Sequence, residues 1–298
     1  MTTRQITVAH LYPDVMSSYG DRGNVAAIVR RCRWRDVGVT VTELRPGDKV
    51  VPADLDLIVI GGGGEPQQRQ IAADLYKVKG GAIRDAVAAG TAALAVGEGY
   101  ELFGRFCQPD KGAELRGIEL FDSWTIRGRV ADVGAAHQDR ATARPRTDPA
   151  VRDLVVRWDG GLLVGFENSS GRTYLGPDAV PLGRVISGRG NNGDGSEGVC
   201  LGGAIGTNMR GPCLPANPAL ADFLISVALC RRYGTADLSP LADDLELAAR
   251  ATAMQRTVLT ARRRALTWPL RKQASPPASG AGAVPPRLGN HARAGMHR

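Results

Sequence analysis

The chain has 298 residues, 43% hydrophobic and 23% charged, enough for one sizeable core with appendages. No apolar run approaches the eighteen or so residues a membrane-spanning helix needs, and the start, "MTTRQITVAH", enters a strand pattern without a signal-peptide core. We therefore expect a cytoplasmic protein. The five cysteines (Cys32, Cys107, Cys200, Cys213, Cys230) form no CxxC pair, which argues against a disulfide framework or a zinc site. Of four histidines only His10 and His137 lie in the body of the chain. The net charge is +8, but five basic residues and no acid fall between Arg271 and Arg298, so the rest carries only +3. That balance reads as a solvated basic tail on an ordinary body, not as a nucleic-acid arm.

In chain order, Ile6–Leu11 reads as a first strand and is followed by a loop and a helix reaching about Arg31. Val39–Leu44 reads as a second strand and Leu55–Ile60 as a third, the latter a continuous apolar run of the fully buried kind. Lys79–Ala89 has helical character and stops at Gly90; the apolar run Ala92–Val96 then ends at a tight glycine turn before another helix. This alternation predicts βαβ units around a parallel sheet. Beyond Gly117 the pattern changes: short strands are expected at Gly161–Phe166 and Gly183–Ser187, with 134–154 as an irregular insertion. Ala219–Tyr233 predicts an apolar helix closed by Gly234, and Ser239-Pro240 the cap and first turn of another, running to about Arg264. From Gln273 onward the Pro-, Gly- and Ser-rich composition cannot support a core. The expected division is 1–236 as the main domain, 237–272 as a helical extension and 273–298 as a disordered basic tail.

Four polar stretches carry chemistry. "IGGGGEPQQRQ" (Ile60–Gln70) puts four glycines at a strand's C-terminal end, where backbone N–H groups can meet an anion. "YGDRGN" (Tyr19–Asn24) reads as a polar loop and helix cap. "GFENSSGRT" (Gly165–Thr173) and "GRGNNGDGSEG" (Gly188–Gly198) read as turns after short strands. The strand–turn–helix at "LAVGEGYELFG" (Leu94–Gly104) has the form of an elbow that presents a nucleophile, yet its apex, Gly97, has no side chain.

In this order, and with "GTNMRGPCLPANPALAD" (Gly206–Asp222), these stretches resemble the GatD family, the glutamine amidotransferase subunits of lipid II isoglutaminyl synthase. That family shows Y-x-D-x-G-N, matched by Tyr19, Asp21, Gly23 and Asn24, and a triple glycine, matched by Gly61–Gly63. Its G-F-E-N-H-G-G-R-T appears as Gly165–Thr173, and its G-x-G-N-N and E-G as Gly188, Gly190, Asn191, Asn192, Glu197 and Gly198. The resemblance implies a class I glutamine amidotransferase-like, flavodoxin-like α/β fold: a parallel sheet flanked by helices. It also implies a MurT-like Mur ligase as partner, which would hold the ATP and Mg²⁺ and touch lipid II, while no cofactor or metal belongs to this chain.

The resemblance breaks at the chemistry. The family's elbow, C-G-G-Y-Q-[LF]-L-G, begins with the glutaminase cysteine, and here that position is Gly97 followed by Glu98. Its G-T-Y-L-H-G-P carries the catalytic histidine, and here that position is Arg210. The family's glutamine-recognising arginine falls on Arg129, with Arg127 as second choice, and its oxyanion loop on Gly62 and Gly63 with Glu98 beside them. Glycine supplies no nucleophile and arginine no general base, so no catalytic residue is intact. The resulting expectation is a pseudo-glutaminase, with Glu98 in the vacated anion site and Arg210 as its charge partner; a Glu98 pointing into solvent is the bland alternative. Two other readings stand beside it: an active glutaminase with relocated residues, and a subunit that senses glutamine or serves as a scaffold. A flexible basic tail also implies weak contact with an anionic membrane surface.

Overall fold

The structure, a computed structural model, describes residues 4–127 and 151–267, with side chains through residue 257. Its centre is a six-stranded sheet. In chain order the first elements are β1 (Gln5–Leu11), α1 (Arg22–Arg33), β2 (Gly38–Leu44), β3 (Leu57–Ile60) and α2 (Glu65–Asp74). Then come α3 (Gly80–Ala88), β4 (Ala92–Val96) and α4 (Glu98–Phe103). A short sheet follows from β5 (Phe106–Gln108), β6 (Leu115–Arg116) and β7 (Ser123–Ile126). The remaining strands are β8 (Val151–Trp158), β9 (Gly161–Asn168), β10 (Arg172–Leu175), β11 (Gly183–Ser187), β12 (Ser196–Glu197), β13 (Val199–Leu201), β14 (Ala204–Thr207) and β15 (Met209–Arg210). Helices α5 (Cys213–Ala216), α6 (Pro218–Tyr233) and α7 (Asp244–Thr267) close the described chain.

The central sheet runs β13-β14-β4-β3-β1-β2, parallel throughout except for the β13–β14 pair. Without β13 this is the flavodoxin-like strand order, in which ligands bind beyond the carboxyl ends of the strands at the point where the order reverses. Both faces of the sheet are covered, which is why its strands read as unbroken apolar runs. Ala92, Leu94 and Val96 pack with Ile6, Val8, Leu57 and Val59 against α1 and α6, whereas Ala93 and Ala95 pack with Ile58 and Ile60 against α2, α3 and α4. The register aligns Leu11 with Ile60, Ile60 with Ala95, and Ala95 with Gly206. The loops after β1, β3, β4 and β14 therefore emerge side by side.

Two smaller sheets flank this core, β10-β7-β5-β6 and the antiparallel β12-β11-β8-β9-β15. Val151–Leu154, read as part of an irregular insertion, belong to β8, whose Leu154 and Val156 reach the main core. Helix α2 was not foreseen, because four glycines suggested only a loop. The signal was in Glu65-Pro66: an acid and a proline in the first turn are helix-start residues, and Gln67 accepts the Gly64 N–H at 3.0 Å. Gly234 ends α6 in the left-handed conformation, φ 72°, as the sequence suggested.

Helix α7 starts at Asp244, not at Ser239-Pro240. The Ser239 carbonyl accepts Arg35 Nε at 2.7 Å, and Asp243 accepts Arg31 Nη1 at 2.6 Å, so the intervening residues are held against α1 instead of coiling. The buried Arg31 also bonds Asp222 on α6 at 2.6 Å. One guanidinium thus ties α1, α6 and the start of α7. Arg31→Met should lower stability by about 2 kcal/mol, below the range for a fully buried pair because both carboxylates keep some solvent contact. It should also speed protease cleavage within 235–243. Urea denaturation and limited proteolysis measure the two effects.

Candidate functional site

The four adjoining loops form the site. After β4 the backbone turns at Gly97, φ 56° and ψ −119°, a conformation that strains any residue with a Cβ. The glycine loop after β3 lies beside this apex. After β14, Glu197 fixes the path of the chain toward β15 by accepting the Thr207 hydroxyl and the Asn208 N–H, each at 2.7 Å. The Tyr19–Asn24 stretch fastens these loops together. Asp21 sits where a helix cap would, but its carboxylate caps nothing and instead accepts the Gly62 N–H at 3.2 Å. Asn24 accepts the Leu214 N–H at 3.0 Å, and the Tyr19 hydroxyl accepts Asn168 Nδ2 at 2.7 Å.

Into this frame project Arg210 from β15 and Glu98 from the first turn of α4. Arg210 Nη2 bonds Glu98 Oε1 at 2.7 Å, and Nη1 closes on Glu98 Oε2 as the second half of a bidentate pair. Glu98 Oε2 also accepts the Gly63 N–H at 3.1 Å. The Arg210 guanidinium lies over the Tyr19 ring, 5.3 Å from its centroid. Both charged residues are buried, Arg210 at 3% exposure and Glu98 at 7%. A Cβ on Gly97 would overlap the Arg210 guanidinium, and one on Gly62 would lie 2.6 Å from Nη1. The guanidinium fills the space above the elbow.

A second pair adjoins the first. Arg127, at the end of β7, bonds Glu101 Oε2 through Nη2, and the same Nη2 lies 3.8 Å from Glu98 Oε1. Gln68 Nε2 donates to Glu101 Oε2 at 2.8 Å, and the Cys107 thiol donates to the same oxygen at 3.4 Å. Burial pushes the Glu101 carboxyl up from its usual range, and the neighbouring Arg127 opposes that shift. Arg129, the first choice from sequence, lies outside the described residues; Arg127, the second choice, lies in the site. Glu101 and Gln68 were not singled out. Glu101 had a signal, because it stands where the resembling pattern has glutamine; Gln68 had none, since it comes from the unforeseen helix α2.

No cysteine near the site is primed for attack. Burial pushes the Cys107 thiol well up, with Glu101 adding to the shift, and raises Cys213 to about 12. A thiol so shifted is almost wholly protonated near neutral pH. Among the described residues no cluster of His, Cys, Asp or Glu could hold a metal ion, and no helix is long and apolar enough to cross a membrane.

Residues 7–218 match the family model for the CobB/CobQ-like glutamine amidotransferase domain. Subunit GatD of the glutamine-hydrolysing lipid II isoglutaminyl synthase from Staphylococcus aureus (strain N315) is 32% identical over 77% of this chain and 86% of its own. The chain belongs to the GatD family of these amidotransferases. A second GatD subunit, from Streptococcus pneumoniae (strain ATCC BAA-255 / R6), is 28% identical over 81% of this chain and 87% of its own. Among solved structures, PurLQS from Thermotoga maritima is 13% identical, with a TM-score of 0.48 over 75% of this chain and 98% of that one. Four of the positions that depart from the GatD pattern given above lie together. Gly97, Glu98, Glu101 and Arg210 all meet in one buried cluster, joined by Arg127.

The family's other motif residues hold the frame. Glu167 accepts the N–H groups of Arg189 at 2.8 Å and Gly190 at 2.9 Å, so the two loops read as turns are bolted to each other. Asn191 accepts the Gly198 N–H at 3.0 Å and Asn208 Nδ2 at 3.1 Å.

Two predictions follow from this geometry. Arg210→Met should cost about 3–5 kcal/mol, since it leaves Glu98 buried without its partner, while adding Glu98→Gln should recover much of the loss. A double-mutant cycle in urea measures the coupling. The second concerns Glu197, whose carboxyl burial raises from 4.5 to about 7. A raised acid binds its proton more tightly in the folded state, so its contribution is fully present below about pH 4.5 and lost as pH rises through about 7. Between these values, wild-type stability should therefore fall with rising pH relative to Glu197→Gln, a difference read from denaturation curves across the window.

Proposed function

We propose that the chain is a GatD-like subunit of a lipid II isoglutaminyl synthase that has lost its own glutaminase chemistry. The observation that carries this reading is the Arg210 guanidinium standing in the space a nucleophile on residue 97 would need. Glutamine hydrolysis by this class requires a thiolate to attack the amide and a base to move the proton. Gly97 offers no attacking atom. Arg210 keeps its proton, because its salt bridge to Glu98 holds the guanidinium charged against burial. Glu98 takes up the Gly63 N–H, a group suited to a developing oxyanion. The identity with two GatD subunits over most of their length supports the family's context: a MurT-like Mur ligase partner that binds ATP and Mg²⁺ and amidates the stem D-glutamate of lipid II. In that complex this chain stabilises or completes the ligase, and free ammonia supplies the nitrogen.

The test is the purified chain together with its ligase. Glutamate release from L-glutamine should not exceed that of the ligase alone, whereas ammonium chloride should support amidation. Rapid ammonia release from glutamine by the wild-type complex would overturn the reading. Combining Gly97→Cys with Arg210→His while Glu98 stays in place should yield little glutaminase; robust turnover would show Glu98 to be harmless.

A further inference from the structure

The two edges of the central sheet are finished differently. At one end β13 is only three residues long, and the Cys200 N–H donates to the Val180 carbonyl at 2.8 Å, so its outer side is bridged. At the other end β2 runs for seven residues, and among the described residues it pairs only with β1. Natural sheets guard such an edge with lysine, proline, a bulge or a covering element, because its free backbone groups are a template for another strand. The sequence of β2, GVTVTEL, has neither lysine nor proline, is β-branched from Val39 to Thr42, and follows β1 without a register shift. Among the described residues nothing overhangs it either: Thr40, Val41, Thr42 and Glu43 are all exposed, so both faces of the strand are open.

Which backbone groups stand free follows from alternation. The Gly38 N–H donates to the Arg4 carbonyl and the Leu44 carbonyl accepts the Tyr12 N–H, each at 2.8 Å, so the even-numbered residues of β2 turn toward β1. Val39, Val41 and Glu43 turn their N–H and C=O groups outward. These positions are symmetric about Val41. Two copies of β2 laid antiparallel, with Val41 opposite Val41, therefore match every outward group: Val41 pairs with itself, and Val39 with Glu43 in both directions. A slip of two residues either way brings Val37 or Arg45 into the ladder, and their N–H groups are already committed to the Cys32 carbonyl and the Asp48 carboxylate. The side chains agree with the same register. Thr40 of one copy faces Thr42 of the other, a favourable cross-strand pair. Glu43 faces Val39, which keeps the two Glu43 carboxylates about 14 Å apart along the strands. Arg45, bonded to Glu43 at 2.7 Å, comes opposite the turn that holds the exposed acid Asp36 of the second copy.

We propose that β2 is a homodimer seam: two copies of this chain pair antiparallel through Gly38–Leu44, around a two-fold axis at Val41, and join their six-stranded sheets into one. The contact is isologous, so it closes at two copies and leaves no edge for a third. A strand from a different protein would need none of this self-symmetry, which is why a second copy is the occupant that the edge fits. The pairing leaves the elbows clear. Strands β3 and β1 lie between β4 and the seam strand, and the antiparallel arrangement points the two elbows to opposite edges of the joint sheet.

Sedimentation velocity of the full-length protein in reducing buffer, from micromolar to the highest soluble concentration, tests the seam. The wild-type mass should rise from one chain toward two as concentration increases. Val41→Lys sets two ammonium groups against each other at the axis and should weaken dimerisation by about tenfold or more. Val41 is 39% exposed, so the variant should keep its fold, which circular dichroism checks. The register has its own readout. Opposed Cα atoms of a hydrogen-bonded antiparallel pair lie about 5.5 Å apart, within disulfide reach. Val41→Cys, made with Cys230→Ser to remove the exposed native thiol, should therefore cross-link to a covalent dimer on mild oxidation, while Cys230→Ser alone should not. A wild type that stays a single chain at every concentration would overturn the proposal. So would a dimer that Val41→Lys leaves unchanged, or a Val41→Cys variant that cross-links no more than its control. Should Val41→Lys fail to fold, the cross-link decides.

Discussion

A guanidinium can lie buried over a glycine only if a carboxylate lies there with it. Everything distinctive about this site follows from that constraint. Arg210 is brought to the elbow by β15, whose path is set by the parallel pairing of β14 with β4 and by the bonds from Thr207 and Asn208 to Glu197. Once there, a charge at 3% exposure would be costly alone. Glu98 neutralises it, and the Gly63 N–H satisfies part of what remains. The same logic governs Glu101 and Arg127 one turn along α4.

The frame around the pair is a separate layer of design. Asp21 holds Gly62, Asn24 holds Leu214, and Glu167 holds the turn at Arg189 and Gly190. These bonds join loops distant in sequence at the carboxyl edge of the sheet, and none of them requires catalysis to be useful. Motif residues of an amidotransferase can thus remain in place for the fold after the reacting residues have changed.

Much of this was legible in the sequence, for identifiable reasons. Strands β1, β3 and β4 are buried on both faces and so appear as apolar runs, and α6 declares its end with Gly234. Helix α2 was hidden because Gly61–Gly64 drew attention from Glu65-Pro66 behind it. The start of α7 was misplaced because a local signal, Ser239-Pro240, was overridden by bonds from Arg31 and Arg35 on α1, contacts about two hundred residues apart that no local pattern contains. At the site, Gly97, Glu98 and Arg210 stood out against a pattern with a cysteine and a histidine. Arg127 stood second to Arg129 in a shortened segment, and only the end of β7 shows Arg127 inside the cluster; Arg129 lies outside the described residues.

The overlap between Arg210 and any side chain at residue 97 also couples the two positions. With Arg210 present, a Cβ at 97 has no room; with Arg210 gone, Glu98 is left as a buried, unpaired charge. Gly97→Cys therefore meets the guanidinium, and Arg210→His, alone or with it, takes Glu98's partner away, so relief needs a change at 98 as well. Substitutions locked in this way behave as a ratchet. Surface positions carry no such coupling and can change one at a time, whereas residues 97, 98 and 210 change together or at a cost.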